Sequence, residues 1–474
     1  MLQLGQFSMF KKLFKHGSAY FLVSLLTKAT GFLLLPIITR YLSLEEYGLY
    51  ANIQSAQHIL YLFATFSLDA AYSRFIYDYN SSNKRLKLLT STIFSVFILW
   101  NIIYVIISGI AIYYLIDSWG YNELIISILL PFIVLFQQFS TLNISLMQSR
   151  HHTKKLLMIT TFSFFATQTI LLILLIIFSM GVKSFYIAQF IVGCITLFIH
   201  IKLMLKEKLI QLFVFNKQTF RKLFRYALGY IPVTFSGWIF SLSDRYIVTY
   251  YVSLTMAGKY SFIVQLTTII QFFMQAIDTA YTPIFMKLMK ENTKENQNKI
   301  KTYFTVMIFL LLGIYLGLVL FLPFMIDTFF PIKYQGDYLL ISILSMGFVF
   351  LAIRKMFVNI LVYYKKSFWI SISGYIPAIV NLGLNFIFVP KYGMYAAAWS
   401  TLASFFLYGL IVFVMAQKLQ KFEVDYLKII SIFILSIFLT FISFWYNSII
   451  LNFILLSLFL IYGKFLDIYK MIRM

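Results

Sequence analysis

Apolar runs long enough to cross a membrane recur along the whole chain of 474 residues. A transmembrane helix needs about 20 mostly apolar residues, because its backbone polar groups must all be hydrogen-bonded within the segment. In keeping with this requirement, 61% of the residues are hydrophobic and 12% are charged. The sequence therefore predicts an all-α, polytopic membrane protein with about fourteen transmembrane helices.

The predicted spans are separated by short polar loops, so we expect no extramembrane domain. The motifs of phosphate-binding loops, metal sites and nucleophile elbows are missing, which predicts no catalytic residue, no metal, no cofactor and no enzymatic activity. The single cysteine, Cys194, lies in an apolar run and is expected to be a buried, inert thiol. The predicted spans are 17–39, 47–70, 88–115, 123–149, 156–179, 184–205, 226–250, 257–283, 302–326, 338–363, 367–389, 394–416, 427–446 and 449–465.

Lysine and arginine give the chain a net charge of +23, and 30 of these 39 residues fall on one side of the predicted helices. The positive-inside rule explains this asymmetry and predicts that both termini are cytoplasmic. A nucleic-acid partner is not expected, because the cations follow the loops rather than a folded surface with stacking aromatics.

Two segments of the chain repeat at one offset. Residues 11–15 (KKLFK) match residues 221–225 (RKLFR), and residues 41–44 (YLSL) match residues 251–254 (YVSL), in both cases 210 residues apart. An offset of six helices preserves orientation, so the repeat predicts two parallel lobes with a central cavity at their interface. The predicted domains are an N-terminal six-helix lobe, 1–210, a C-terminal six-helix lobe, 211–426, and two additional transmembrane helices, 427–474.

Three groups of motifs carry a family resemblance. The first helix runs into a short loop ending in Tyr-Gly, the second span ends in Leu-Asp, and the eleventh and twelfth spans meet at Pro-Lys-Tyr-Gly. The residues are Lys28, Gly31, Pro36 and 39–48 (TRYLSLEEYG); Leu68, Asp69 and Arg74; and Asn381, Asn385, 390–393 (PKYG) and 396–398 (AAA). In these motifs the chain, from about residue 10 to 416, resembles the Wzx-type polysaccharide flippases of the multidrug/oligosaccharidyl-lipid/polysaccharide (MOP) exporter superfamily.

The resemblance implies export of a polyprenyl-diphosphate-linked oligosaccharide across the bacterial inner membrane by alternating access. Such export serves the biosynthesis of surface polysaccharide, such as O-antigen of lipopolysaccharide or capsule. The implied partners are the lipid-linked oligosaccharide, membrane lipids and other polysaccharide assembly proteins. The resemblance also implies that Asn381 and Asn385 line the cavity with polar groups.

Four cations lie within predicted spans and away from the last few residues at either end, and a cation near the bilayer centre costs about 2.5–3.5 kcal/mol. We expect side chains this costly to face the cavity and to bind the diphosphate of the cargo. They are Lys28, Arg245, Arg354 and Lys355.

Each of these cations also has a structural interpretation. Lys28 could form an ion pair with an acid in another span, such as Asp69 or Asp278. Arg245 could extend to the outer interface, because long cationic side chains reach toward water. The tandem cations of the tenth span could lie outside it, if that helix ended near residue 353.

Polar residues recur at helical spacing in the second and eighth spans. Such stripes suit sugar hydroxyls in a wet cavity, although hydrogen bonds between helices need the same residue types. A single histidine among them is more typical of packing than of proton transfer. The residues are Gln54, Gln57 and His58 in the second span and Gln271 and Gln275 in the eighth.

Two other functions remain open. A multidrug or cation exporter of the same superfamily would need membrane-embedded acids that outweigh the cations, whereas the candidate charge partners are only Asp69, Asp244 and Asp278. A membrane polysaccharide polymerase would need a large outward loop or an outward acidic pair, and Glu45–Glu46 is the one such pair. The balance of charge favours the flippase.

Overall fold

The computed structural model describes residues 26–79, 82–207, 209–211, 214–291, 293–446 and 448–468, and the regular secondary structure within these ranges is entirely helical. This confirms the predicted all-α class. The repeated cations at 11–15 and the first part of the predicted first span, 17–25, lie outside the described residues.

The helices follow one another through short connections. Nine helical stretches of the described chain are long and apolar enough to cross a membrane. One of them, Phe368–Leu419, covers the two predicted spans 367–389 and 394–416. The first half contains α1 (26–41), α2 (Leu44–Thr65), α3 (Leu68–Tyr79), α4 (Asn83–Asp117), α5 (Leu124–Ser149), α6 (Thr153–Ile176) and α7 (Lys183–Lys206). The second half contains α8 (Lys217–Tyr251), α9 (Leu254–Thr267), α10 (Ile269–Glu291), α11 (Lys294–Phe329), a 3₁₀ turn (Ile332–Tyr334), α12 (Leu339–Tyr363), α13 (Ser367–Ser373), α14 (Tyr375–Leu419), α15 (Tyr426–Tyr446) and α16 (Ile449–Phe465).

The second span is broken where the sequence predicts one continuous helix over 47–70. Phe66 and Ser67 adopt left-handed backbone angles, with φ of 45° and 56°, and separate α2 from α3. The hydroxyl of Thr65 accepts a hydrogen bond from the backbone N–H of Ser67 at 3.2 Å, which stabilises the break. Residues other than glycine rarely adopt positive φ. Because this break contains neither glycine nor proline, nothing in the sequence indicates it.

The repeated motif marks the same structural position in both halves. Ser43 caps α2 by accepting a hydrogen bond from the backbone N–H of Glu46 at 3.0 Å. Ser253 caps α9 in the same way, accepting from the N–H of Met256 at 3.1 Å. The Glu46 carboxylate in turn accepts a hydrogen bond from the backbone N–H of Ser43 at 2.8 Å, which completes a capping box. Local helix initiation therefore accounts for Glu46 without a catalytic role.

The chain divides into two compact units, Met1–Trp238 (unit 1) and Ile239–Met474 (unit 2). Within unit 1, a buried apolar cluster joins α3, α4 and α5 through side chains such as Tyr72 and Phe97. Leu223 and Ala227, four residues apart on α8, belong to the same cluster. The domain limits at 210 and 426 stay predictions.

The two C-terminal helices pack against α11 within unit 2. The rings of Phe309 and Phe459 stack with centroids 4.6 Å apart. Buried polar groups reinforce this packing: Asn452 donates from Nδ2 to the carbonyl of Leu320 at 2.6 Å, and the hydroxyls of Thr440 and Tyr315 lie 3.2 Å apart. Hydrogen bonds of this kind hold helices together where no water competes.

Candidate functional site

A buried carboxylate, Asp244, joins three helices of unit 2. Its Oδ2 accepts hydrogen bonds from the hydroxyls of Tyr260 at 2.9 Å and Thr401 at 2.6 Å, and its Oδ1 accepts from Nδ2 of Asn385 at 2.7 Å. The Asn385 amide also donates to Oδ1 of Asn381 at 3.2 Å. Asp244 is 5% exposed and both asparagines are fully buried. Neutral donors therefore hold this acid within the membrane-embedded interior.

A second acid of unit 2, Asp278, is held by a cation. Its Oδ2 lies 3.1 Å from Nζ of Lys355, and its Oδ1 accepts from Nδ2 of Asn359 at 2.9 Å and from the hydroxyl of Thr282 at 3.2 Å. The side chain of Lys355 is 37% exposed, against 16% for Asp278. The ion pair is therefore accessible mainly from the lysine side.

The two arginines predicted to lie within spans of unit 2 are placed differently. The guanidinium carbon Cζ of Arg354 lies 4.3 Å from the ring centroid of Tyr408, which is a cation–π contact. The Tyr408 ring also stacks with the ring of Phe240, with centroids 5.3 Å apart. Arg245 is 7% exposed and follows the buried Asp244 along α8. Helix α12 continues to Tyr363, so the alternative of a helix ending near residue 353 is wrong.

In unit 1 the membrane-embedded charges are Lys28 and Asp69. Lys28 lies half-buried on α1. Asp69, at the start of α3, accepts a hydrogen bond from the Tyr61 hydroxyl at 3.0 Å, and that hydroxyl is 3.1 Å from Oγ1 of Thr141. A tyrosine, rather than a cation, is therefore the contact of Asp69 that the structure describes.

The predicted glutamine stripes are only partly enclosed. Gln54 is half-buried and donates from Nε2 to the Tyr50 hydroxyl at 3.3 Å, a bond within α2. Gln57 and Gln271 are half-buried, whereas His58 and Gln275 are exposed.

Several polar partners were missed by sequence reasoning. Asp244 accepts hydrogen bonds from Tyr260 and Thr401. Asp278 accepts them from Asn359 and Thr282. Spacing offered a signal for two of them, because Thr282 follows Asp278 by four residues and Asn359 follows Lys355 by four. The contacts between helices carry no such signal.

Cys194 is exposed on α7, contrary to the expectation of a buried thiol. Its exposed neighbours on that helix are the apolar Ile191 and Ile195. An apolar run on a membrane helix can face lipid instead of the protein interior, and this is why burial was predicted wrongly. Within the described residues, no three His, Cys, Asp or Glu side chains cluster as metal ligands would.

An ion pair links the connection between α11 and α12, which lies outside the spans, to the start of α9. Asp337 pairs with Lys259 and accepts a hydrogen bond from the Tyr395 hydroxyl at 2.5 Å. Burial raises the pKa of Asp337, but the bonds from Lys259 and Tyr395 outweigh it and hold that pKa below its usual value. The carboxylate therefore stays charged at neutral pH.

The same helical arrangement occurs in known membrane transporters. The Lipid II flippase MurJ, in an inward closed conformation, matches with a TM-score of 0.71 at 14% identity, over 95% of this chain and 99% of that chain. A MOP superfamily transporter from Pyrococcus furiosus matches with a TM-score of 0.61 at 14% identity, over 86% and 95% of the two chains. Uncharacterized membrane protein MJ1068 of Methanocaldococcus jannaschii is 23% identical over 392 residues, or 76% of this chain and 75% of that protein.

The fold is that of a multi-pass membrane protein, with the helical arrangement that these transporters have. At this level of identity the structural matches establish the fold and leave the cargo undetermined. A sequence match goes further: residues 13–289, more than half of the chain, match the family described as polysaccharide biosynthesis protein. The chain belongs to that family, and the predicted resemblance to polysaccharide exporters of the MOP superfamily is confirmed.

Proposed function

We propose that the protein is a flippase that exports a polyprenyl-diphosphate-linked oligosaccharide by alternating access of two six-helix lobes. Its membrane is the bacterial inner membrane, with both termini cytoplasmic. The product enters the biosynthesis of surface polysaccharide such as O-antigen or capsule. Family membership supports a role in polysaccharide biosynthesis, and the likeness to a Lipid II flippase supports a lipid-linked cargo.

The observation that carries the proposal is a cation that remains accessible inside a span. Lys355 is 37% exposed although α12 is apolar enough to cross a membrane. A lysine costs about 2.5–3.5 kcal/mol in that position on insertion scales. Asp278 offsets part of this cost, and the exposed side of the ammonium is able to bind an anionic head group, which a cationic drug does not offer.

The membrane potential can drive this export. Moving one negative charge outward across an inside-negative membrane releases about 2.3 kcal/mol per 100 mV. A diphosphate that leaves the cytoplasm with net charge is therefore carried downhill, and the proposed mechanism requires no nucleotide site.

The test of this function is the substitution Lys28→Ala in the organism that carries the gene. We expect surface polysaccharide to be lost while the amount of protein in the membrane stays normal. Lys28→Arg should retain part of the export, because the charge survives although a planar guanidinium replaces a compact ammonium. Lys366→Ala, an exposed lysine after α12, is the matched control and should export normally.

A structural role for Lys28 gives the opposite pattern. Removing the lysine would then strand an acid such as Asp69 or Asp278 and lower the amount of folded protein. Neutralising that acid in the same chain would restore both protein amount and export. Recovery of export in Lys28→Ala with Asp69→Asn, or with Asp278→Asn, would contradict the diphosphate-binding role of Lys28.

A further inference from the structure

The contact between Asp278 and Lys355 has a counterpart in unit 1 that lacks the cation. The residue 210 positions before Lys355 is Ser145. The acid of unit 1 that matches Asp278 most nearly is Asp69, which lies 209 positions before it. In unit 1 the corresponding helices α3 and α5 meet through the hydroxyls of Ser73 and Ser145, 2.7 Å apart. This junction of the fold therefore forms without an ion pair.

The Asp278 carboxylate is arranged so that it can lose its cation and remain hydrogen-bonded. Its Oδ1 is occupied by Asn359 at 2.9 Å and Thr282 at 3.2 Å, two neutral donors that do not depend on Lys355. The ammonium of Lys355 lies 3.1 Å from the other oxygen, Oδ2. Releasing Lys355 thus leaves an acid with two bonds, which lowers the cost of breaking the pair.

We infer that Asp278 is a specificity-determining residue, an internal competitor that an anionic cargo must displace from Lys355. The inference rests on the proposed flippase function and concerns which anions gain access to Lys355. Phospholipids with one negative charge are abundant in every membrane and would otherwise occupy an accessible lysine. Asp278 competes with these phospholipids for Lys355, because its carboxylate carries the same single charge and already lies 3.1 Å from the ammonium.

The selection follows from charge. Coulomb attraction scales with the product of the charges, so a diphosphate with two or more negative charges attracts the ammonium more strongly than a single carboxylate at equal distance. A phosphodiester with one charge gains no such advantage. The pair Asp278–Lys355 therefore rejects ordinary anionic lipids and admits a diphosphate, a form of negative selection that an isolated lysine lacks.

The test measures binding of two probes to the purified full chain in neutral detergent: farnesyl diphosphate and phosphatidylglycerol. We expect the native protein to bind farnesyl diphosphate at least about tenfold more tightly. Asp278→Asn should tighten binding of phosphatidylglycerol about tenfold and that of farnesyl diphosphate about threefold or less, so that the preference shrinks. Lys355→Met should weaken farnesyl diphosphate about tenfold.

Two controls separate selection from loss of structure. Asp78→Asn, which removes an exposed acid paired with Arg74 at 3.1 Å, should leave both affinities unchanged. The double variant Asp278→Asn with Lys355→Met should bind phosphatidylglycerol no better than Lys355→Met alone, and a normal unfolding temperature of this neutral pair confirms folding.

An unchanged preference in Asp278→Asn would overturn the inference and leave the flippase proposal standing. Weaker binding of both probes in that variant would also overturn it, because Asp278 would then assist the anion site instead of competing for it. Failure of the native protein to bind farnesyl diphosphate would contradict both this inference and the proposed function.

Discussion

The two units bury polar groups in different ways. In unit 1 a fully buried network is neutral: Asn101 donates from Nδ2 to Oε1 of Gln138 at 2.7 Å, and Gln138 donates from Nε2 to the carbonyl of Ala64 at 2.9 Å. The charges Lys28 and Asp69 of that unit are only half-buried. Unit 2, by contrast, fully buries a carboxylate, that of Asp244. Both units are helical and related by the sequence repeat.

This difference shows that helices of this fold can pack around fully buried polar groups without fully burying a charge. In unit 1 the buried amides form hydrogen bonds with one another and with the backbone. Burying a charge without such partners costs far more free energy than burying a hydrogen-bonded amide. Unit 2 therefore has to compensate the buried Asp244 with the donors of Tyr260, Thr401 and Asn385. The predictions below separate structural polarity from transport polarity.

The largest effect on stability is expected from Asp244→Ala in unit 2. The substitution removes the acceptor of three buried donors, on Tyr260, Thr401 and Asn385, and each stranded donor costs about 1–3 kcal/mol. We expect a loss of about 3 kcal/mol or more, seen as a lower unfolding temperature in detergent. Asp244→Asn keeps an acceptor and should lose less. Equal stability of Asp244→Ala and the native chain would show that the network is dispensable.

A smaller effect is expected from Gln138→Leu in unit 1. The change strands the Asn101 amide and the Ala64 carbonyl, at a cost of about 1–3 kcal/mol. Export per folded molecule should stay normal, because this network is structural. Export is measured as surface polysaccharide divided by the amount of protein in the membrane. A specific loss of export, with stability retained, would show that this neutral network takes part in transport.

The smallest effect is expected outside the spans, from Asp337→Asn. The pKa of Asp337 is lowered, mainly because the bonds from Lys259 and Tyr395 outweigh burial, so its stabilisation is present above about pH 4 and is lost as pH falls further. We expect the variant to lose about 1 kcal/mol at pH 7 and the difference to shrink steadily as the pH falls below about 4. Unfolding temperatures of both proteins across this range are the measurement. A constant difference at all pH values would exclude the ion pair as its cause.

Much of the fold could be predicted from the sequence, because the bilayer imposes a length and an apolar composition on every span. The repeat of residues 41–44 at 251–254 also marked two equivalent helix starts, capped by Ser43 and Ser253. The break at Phe66 and Ser67 was missed, because positive φ at these residues is imposed by packing and not by residue type.

The candidate site could be predicted as a set of residues but not as a set of contacts. The cost of charge in a membrane singled out Lys355 and Asp278 separately. Their pairing joins helices 77 residues apart along the chain, and neither residue indicates the other in a single sequence. The same limit hid the bond between Asp244 and Thr401.

The central claim is tested most directly by reconstituting the purified protein in liposomes with a fluorescent polyprenyl-diphosphate oligosaccharide. Accessibility of the sugar to an external, membrane-impermeant lectin reports its transfer between leaflets. We predict that the native chain accelerates transfer, that an inside-negative potential increases outward transfer, and that Lys355→Ala slows it about tenfold or more while Lys366→Ala does not. Transfer no faster than in protein-free liposomes, from a correctly folded native chain, would contradict the flippase function.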